Sequence, residues 1–132
     1  MAKRFAREIA AAGGHPGLYS VWPQESRPED FTRAIDSYRL AAEDVHGWML
    51  PVASAWLATW RRDATVKLYS PDGLHPSVEG SYLAGLVIYS RIMGRSPVGL
   101  PRTLRLHSGQ IIAVNAAWLT TLQQAALEVS PQ

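Results

Sequence analysis

The spacing of apolar residues along the chain predicts helices that alternate with short strands. In five segments, apolar side chains recur every three to four residues, which is the period of an amphipathic helix. Two short runs that are almost continuously apolar lie between the first three segments and are typical of buried strands. The predicted helices cover residues 2–12, 28–45, 53–61, 77–93 and 109–128, and the predicted strands cover residues 18–22 and 47–52.

Capping and turn residues stand at several of these boundaries. The run Pro28-Glu29-Asp30 opens the second helix, because a first helical turn accommodates proline and favours acids. Ser77 is predicted to be the N-cap of the fourth helix, and Gly94 to end it. The last helix, with Ser108 as its cap, is predicted to bury Ile112, Leu119, Leu122 and Ala126.

The order of these elements favours an α/β fold with a short parallel sheet. The 132 residues suffice for one domain, so residues 1–132 are predicted to form a single domain. Two recognisable strands are fewer than the three that an independently stable sheet normally needs. The pattern therefore resembles the second half of a larger unit.

Composition narrows the classes of function. Hydrophobic residues make up 47% of the chain and charged residues 18%, as in globular proteins. A formal net charge of +2, without clustered basic residues, does not favour nucleic-acid binding. Because the chain has no cysteine, disulfides and thiolate catalysis are excluded, and no histidine spacing indicates a metal site. We therefore expect neither a metal nor a cofactor.

The first twelve residues are basic and rich in alanine, so a signal peptide has to be considered. Arg7 and Glu8 interrupt any apolar core, and the remaining run is too short for a signal sequence. No stretch approaches the ~18 apolar residues of a membrane span. No membrane span is expected, and a cytoplasmic location is the default expectation.

The pattern that indicates chemistry is Asp72-Gly73-Leu74-His75, directly before the fourth predicted helix. A carboxylate three residues before a histidine on a tight turn places an acid and a base side by side, as a serine hydrolase requires. Gly73 permits the turn, and Pro76 fixes the backbone after the histidine. On spacing alone, an aspartate that caps a turn beside a surface histidine is an equally open interpretation.

The surrounding sequence resembles one enzyme family. The run YSPDGLHPSVEGSYLAGLVIY, residues 69–89, closely resembles the last conserved block of the SGNH (GDSL-type) hydrolases. The runs GRSPVGL (94–100), YSVWP (19–23) and PVASAW (51–56) are similar to a bacterial branch of that family. The resemblance covers about residues 1–101, and residues 102–132 lie beyond it as an extra C-terminal helix.

The resemblance implies a partial three-layer α/β/α, flavodoxin-like unit that hydrolyses small-molecule carboxylic esters with a Ser-His-Asp triad. It implies that His75 is the general base and that Asp72 is the acid that orients it. It also implies that Trp22 lines the substrate pocket, whereas a tryptophan in this position is by itself more typical of the core. Because full-length members of that family can be exported, the resemblance leaves the location of this protein open.

The remaining parts of such a triad are not recognisable. The chain has no Gly-Asp-Ser block and no G-x-S-x-G elbow, and its only asparagine, Asn115, falls in the last predicted helix. Four serines near predicted strand ends or the dyad lack the elbow context, namely Ser20, Ser26, Ser54 and Ser70. We therefore expect the chain alone to be inactive, with its nucleophile supplied by a complementing N-terminal half. The alternative is a non-catalytic truncated module that forms homo-oligomers or binds a partner.

Overall fold

A computed structural model describes residues 1–130, in which helices and short strands are mixed. The α-helices of the described residues are α1 (Ala2–Ala11), α2 (Phe31–Asp44), α3 (Val52–Arg62), α4 (Val78–Met93) and α5 (Leu119–Val129). The strands are β1 (Gly17–Tyr19), β2 (Trp48–Leu50), β3 (Thr103–Arg105) and β4 (Ile111–Ala113). A turn of 3-10 helix at Pro28–Asp30 leads into α2.

The predicted parallel pairing is confirmed, since β1 and β2 run parallel and are connected through α2. Leu18 lies opposite Met49 in the register of this sheet. The amide of Trp48 donates to the carbonyl of Pro16 (2.8 Å), and the amide of Ser20 donates to Leu50 (3.0 Å). Backbone groups alternate in direction along a strand, so Gly17 and Tyr19 direct theirs to the opposite edge. Within residues 1–130 no further strand pairs at that edge.

The core lies mainly between helices, with α3 packed against both α4 and α5. Trp56 of α3 is completely buried. The residues of α3 around it are mostly small, which allows neighbouring helices to approach closely; the buried set is Val52, Ala53, Ala55, Trp56, Ala58 and Thr59. Gly80 of α4 lies so close to the segment before the dyad that an added Cβ would be 2.4 Å from the carbonyl oxygen of Leu68.

The predicted boundaries of α4 are confirmed in atomic detail. The hydroxyl oxygen of Ser77 accepts a hydrogen bond from the amide of Gly80 at 3.0 Å, so Ser77 is the N-cap. Gly94 adopts the left-handed conformation (φ 60°) and ends the helix. The two predicted strands are shorter than expected, because only three residues of each belong to the regular ladder.

The predicted helix over residues 109–128 is wrong in its first half. Residues 103–113 form an antiparallel hairpin, in which Ile112 pairs with Leu104, and α5 begins only at Leu119. Gly109 (φ 85°) makes the turn, and Ser108 accepts a bond from the amide of Gln110 at 3.4 Å instead of capping a helix. The predicted inward residues Leu122 and Ala126 are buried in α5, whereas Leu119 is half-buried.

A hairpin forms here instead of a helix for a physical reason. The apolar positions of residues 109–128 fit a helical period, but the chain reverses at Gly109, whose positive φ favours glycine over other residues. The strand that pairs with β4 lies earlier in the sequence and is too short to recognise on its own. In none of the helices described is there an apolar stretch of the length that crossing a membrane requires.

Candidate active site

The loop between Tyr69 and Pro76 is shaped by the side chain of Asp72. Its Oδ1 atom accepts hydrogen bonds from the amides of Leu74 (3.0 Å) and His75 (2.9 Å), so the carboxylate closes a tight turn. Gly73, at the tip, has a φ of 66°, which favours glycine. The turn requires an aspartate in front of a glycine, which is what the sequence provides.

The structure brings the two predicted site residues into direct contact. Oδ2 of Asp72 lies 2.6 Å from Nδ1 of His75. A carboxylate on Nδ1 keeps the proton on that nitrogen, so the neutral ring presents Nε2 as its acceptor. Within residues 1–130, Nε2 takes part in no hydrogen bond, and 73% of the His75 side chain is exposed. The imidazole is therefore oriented and accessible as a base would be.

The remaining contacts keep Asp72 ionised. The hydroxyl of Ser70 donates to Oδ1 of Asp72 at 2.6 Å. This bond, followed by those from the ring of His75 and from the amides of Leu74 and His75, holds the pKa of Asp72 far below its usual range. The Asp72 carboxylate beside Nδ1 of His75 therefore carries its negative charge at neutral pH. Ser70, which the sequence analysis considered only as a nucleophile, is thus a positioning residue for Asp72.

Trp22 supports the loop from a distant part of the chain. Its indole N–H donates to the carbonyl of Leu74, directly before His75, at 3.0 Å. Its ring is stacked on Trp56, with centroids 3.9 Å apart and planes 11° from parallel. The contact with Leu74 spans 52 residues, so no local pattern could have indicated it. That Trp22 also lines a substrate pocket remains a prediction.

Both ends of the loop are attached to the body of the protein. The amide of Ser70 donates to the carbonyl of His75 at 2.8 Å, beside a bridge between Tyr69 and Pro76. Ser77 donates through its amide to Leu68 (2.8 Å) and through its hydroxyl to Lys67 (2.7 Å).

Tyr69 adds a further attachment, because its hydroxyl donates to the carbonyl of Pro23 at 2.5 Å. Burial raises the pKa of Tyr69 to about 12, with a smaller contribution from the negative charge of Glu25. The tyrosine is therefore a neutral donor throughout the physiological range.

Among residues 1–130, no hydroxyl group is hydrogen-bonded to the ring of His75. Ser20 is completely buried, and its hydroxyl donates to the carbonyl of Leu50 at 3.2 Å. The hydroxyl of Ser70 is bound to Asp72. Asn115 lies between the hairpin and α5. Its Oδ1 accepts from the backbone amide of Ala117 (3.0 Å), and its backbone amide donates to Oε1 of Glu79 (3.1 Å). The predicted helical position of Asn115 is wrong.

Two concave regions adjoin the loop. A cleft of about 970 Å³ includes Ser70 and Ser77 in its wall, and a smaller hollow of about 360 Å³ includes Asp72. Glu25 and Pro71 line both regions. The larger one is lined chiefly by aromatic and aliphatic side chains, so an apolar group fits its chemistry.

No grouping of three histidine, aspartate or glutamate side chains suited to a metal ion occurs within residues 1–130. Comparisons of the chain with protein-family models, curated proteins and solved structures gave no match.

The charge state of Asp72 gives a prediction that can be tested without activity. Replacing Ser70 by alanine removes the strongest of the bonds that lower the pKa of Asp72, so this pKa is expected to rise towards the usual value of about 4. Because the folded-state pKa is lowered, ionised Asp72 stabilises the fold above pH ~4, and this contribution is lost as pH falls further. Titration of the Asp72 carboxyl carbon by NMR measures the change.

Ser26→Ala is the matched control for this titration. Ser26 lines the same small hollow as Asp72 but does not hydrogen-bond to it. An Asp72 titration in Ser70→Ala that coincides with that of the unmodified protein would contradict the assignment.

Proposed function

We propose that this chain supplies the acid–base part of an SGNH-type carboxylic-ester hydrolase with a three-layer α/β/α fold. The observation that supports the proposal most directly is the 2.6 Å contact between Oδ2 of Asp72 and Nδ1 of His75, with Nε2 left as an acceptor. The surrounding turn follows the D-x-x-H order that the family block requires. Substrates of this class are small-molecule esters.

In the proposed reaction, a serine hydroxyl attacks the ester carbonyl while Nε2 of His75 takes its proton. The same proton then passes to the leaving alcohol. Asp72 stabilises the imidazolium between these two steps and keeps Nδ1 protonated. A second segment, in the same or another polypeptide, has to contribute the serine and the donors that stabilise the oxyanion. Loss of a single oxyanion donor typically costs about 100- to 1000-fold in rate.

The test has two arms that use p-nitrophenyl acetate. The 132-residue chain alone is expected to show no turnover above the buffer rate. A protein that also includes any in-frame Gly-Asp-Ser segment encoded upstream of Met1 is expected to hydrolyse the ester, and His75→Ala to lower that rate by about 100- to 10,000-fold.

His15→Ala is the control, because His15 is an exposed histidine outside the loop. Turnover by the chain alone that His75→Ala abolishes would refute the expected inactivity. Turnover by the longer protein that His75→Ala leaves unchanged would refute the role of His75.

A second proposal, a non-catalytic binding module, is favoured by a different observation. The outer edge of β1 carries unpaired backbone groups at Gly17 and Tyr19, and such an edge accepts an added strand from a partner. This alternative predicts no ester hydrolysis in either arm, together with retention of the fold.

A further inference from the structure

Helix α1 has a one-sided apolar face that the rest of residues 1–130 leaves partly exposed. None of its ten residues is buried. Phe5 is 54% exposed and Ile9 38% exposed, and their i, i+4 spacing places them on one face. A helix of this kind normally buries its apolar stripe against another surface.

The attachment of α1 to the rest of the protein is slight. One ion pair connects it to α2, from Lys3 to Asp44 (2.8 Å), and both side chains are more than half exposed. Exposed pairs of this kind contribute little. The connection to β1 passes through Gly13 and Gly14, and Gly13 has a φ of 77°. The helix can therefore adopt a different placement without breaking buried contacts.

The cleft of about 970 Å³ has the complementary properties. Phe31 and Trp60 form an edge-to-face pair in its wall, with centroids 5.7 Å apart, and Leu68 and Trp118 extend the apolar surface. A concavity of this volume and lining falls in the range of clefts that bind ligands or peptides. The charged groups that line the cleft are Glu25, Lys67 and Glu79, a net charge of −1.

The charges of the two surfaces are complementary as well. The side chains of α1 carry a net charge of +2, from Lys3, Arg4 and Arg7 less Glu8. Arg4 directly precedes Phe5 in α1, and Glu25 lines the cleft, so a helix that enters with Phe5 brings a cation to a surface with an acidic group. Such matching favours docking in one orientation.

We propose that α1 of one molecule lies in this cleft of a second copy of the chain, and that the exchange is reciprocal. Phe5 and Ile9 enter the apolar cleft as the anchors of a helix-in-groove contact. Reciprocal exchange gives a closed two-fold dimer, because each molecule offers one helix and one cleft. Neither Asp72 nor His75 lines the cleft or belongs to α1, although Ser70, which binds Asp72, is part of the cleft wall. The test of the dimer uses molar mass and not ester hydrolysis, so its outcome is distinct from that of the proposed function.

The first experiment measures molar mass by size-exclusion chromatography with light scattering. The unmodified chain is expected to be a dimer. Phe5→Asp, on a surface with no buried residue, is expected to keep the circular dichroism spectrum and to weaken dimerisation at least about tenfold. Leu40→Asp is the matched control, because Leu40 is a comparably exposed apolar residue (56%) on α2.

A charge exchange tests the orientation. Arg4→Glu and Glu25→Arg are each expected to weaken the dimer, whereas the double variant restores it. A monomeric unmodified chain would overturn the proposal, as would a dimer that persists in Phe5→Asp. A dimer that Leu40→Asp disrupts as strongly as Phe5→Asp does would overturn it equally, as would a double variant that does not restore the dimer.

Discussion

Replacing Gly80 by alanine is expected to destabilise the protein by about 1–3 kcal/mol and to disturb the dyad. The new methyl group would lie 2.4 Å from the carbonyl oxygen of Leu68 and 3.0 Å from the ring of Trp56. Both neighbours are buried and cannot move aside without shifting the segment that leads to the loop. The contact between Asp72 and His75 then loosens together with the fold.

Gly85→Ala provides the matched control in the same helix. Nothing lies within 4 Å of a Cβ added at Gly85, so only the helix propensity changes. A stabilisation of roughly 0.5–1 kcal/mol is expected there. Urea unfolding measures both variants, and the Nδ1 proton signal of His75 reports the dyad. Equal effects of the two substitutions would show that the close approach at Gly80 is unimportant.

Replacing Trp22 by alanine is expected to lower the free energy of unfolding by an amount similar to that of Gly80→Ala. The substitution removes the stacked ring from Trp56 and the donor from the carbonyl of Leu74. Loss of a fully buried tryptophan costs ~3–5 kcal/mol, and Trp22 is half-buried, so about 2 kcal/mol is expected. The Nδ1 proton signal of His75 is expected to broaden, because Leu74, the residue before it, loses its hydrogen bond from Trp22.

Trp22→Phe separates the two contributions. Phenylalanine retains an aromatic ring against Trp56 but leaves Leu74 without its donor, which costs about 1 kcal/mol. If Trp22 only lines a substrate pocket, both variants keep the unfolding free energy of the unmodified protein and change ligand binding alone. Unfolding curves therefore decide between a supporting and a substrate-binding role.

Local signals in the sequence sufficed for the features that depend on neighbouring residues. The cap at Ser77, the stop at Gly94 and the turn at Asp72 each follow from a side chain or a φ angle within a few residues. The contact of Asp72 with His75 belongs to the same class, because three residues on a turn fix its geometry.

The features that the sequence did not predict depend on distant partners. The hairpin at Ile111 depends on pairing with β3, which is too short to recognise from its own sequence. The apolar spacing of this stretch fits a helix as well as a strand. The bond from Trp22 to Leu74 and the closeness of Gly80 to Leu68 arise when separate elements pack. Sequence periodicity contains no information about which elements meet.

The bridge between Tyr69 and Pro76 closes a short loop around the dyad. Ordering a backbone residue costs roughly 1–2 kcal/mol of conformational entropy, and here that cost is met when the protein folds. The ring of His75 is therefore already oriented in the folded protein by its contact with Asp72, and no ligand is needed to orient it. The geometry of the Asp72–His75 pair thus depends on the fold of this loop and on nothing bound to it.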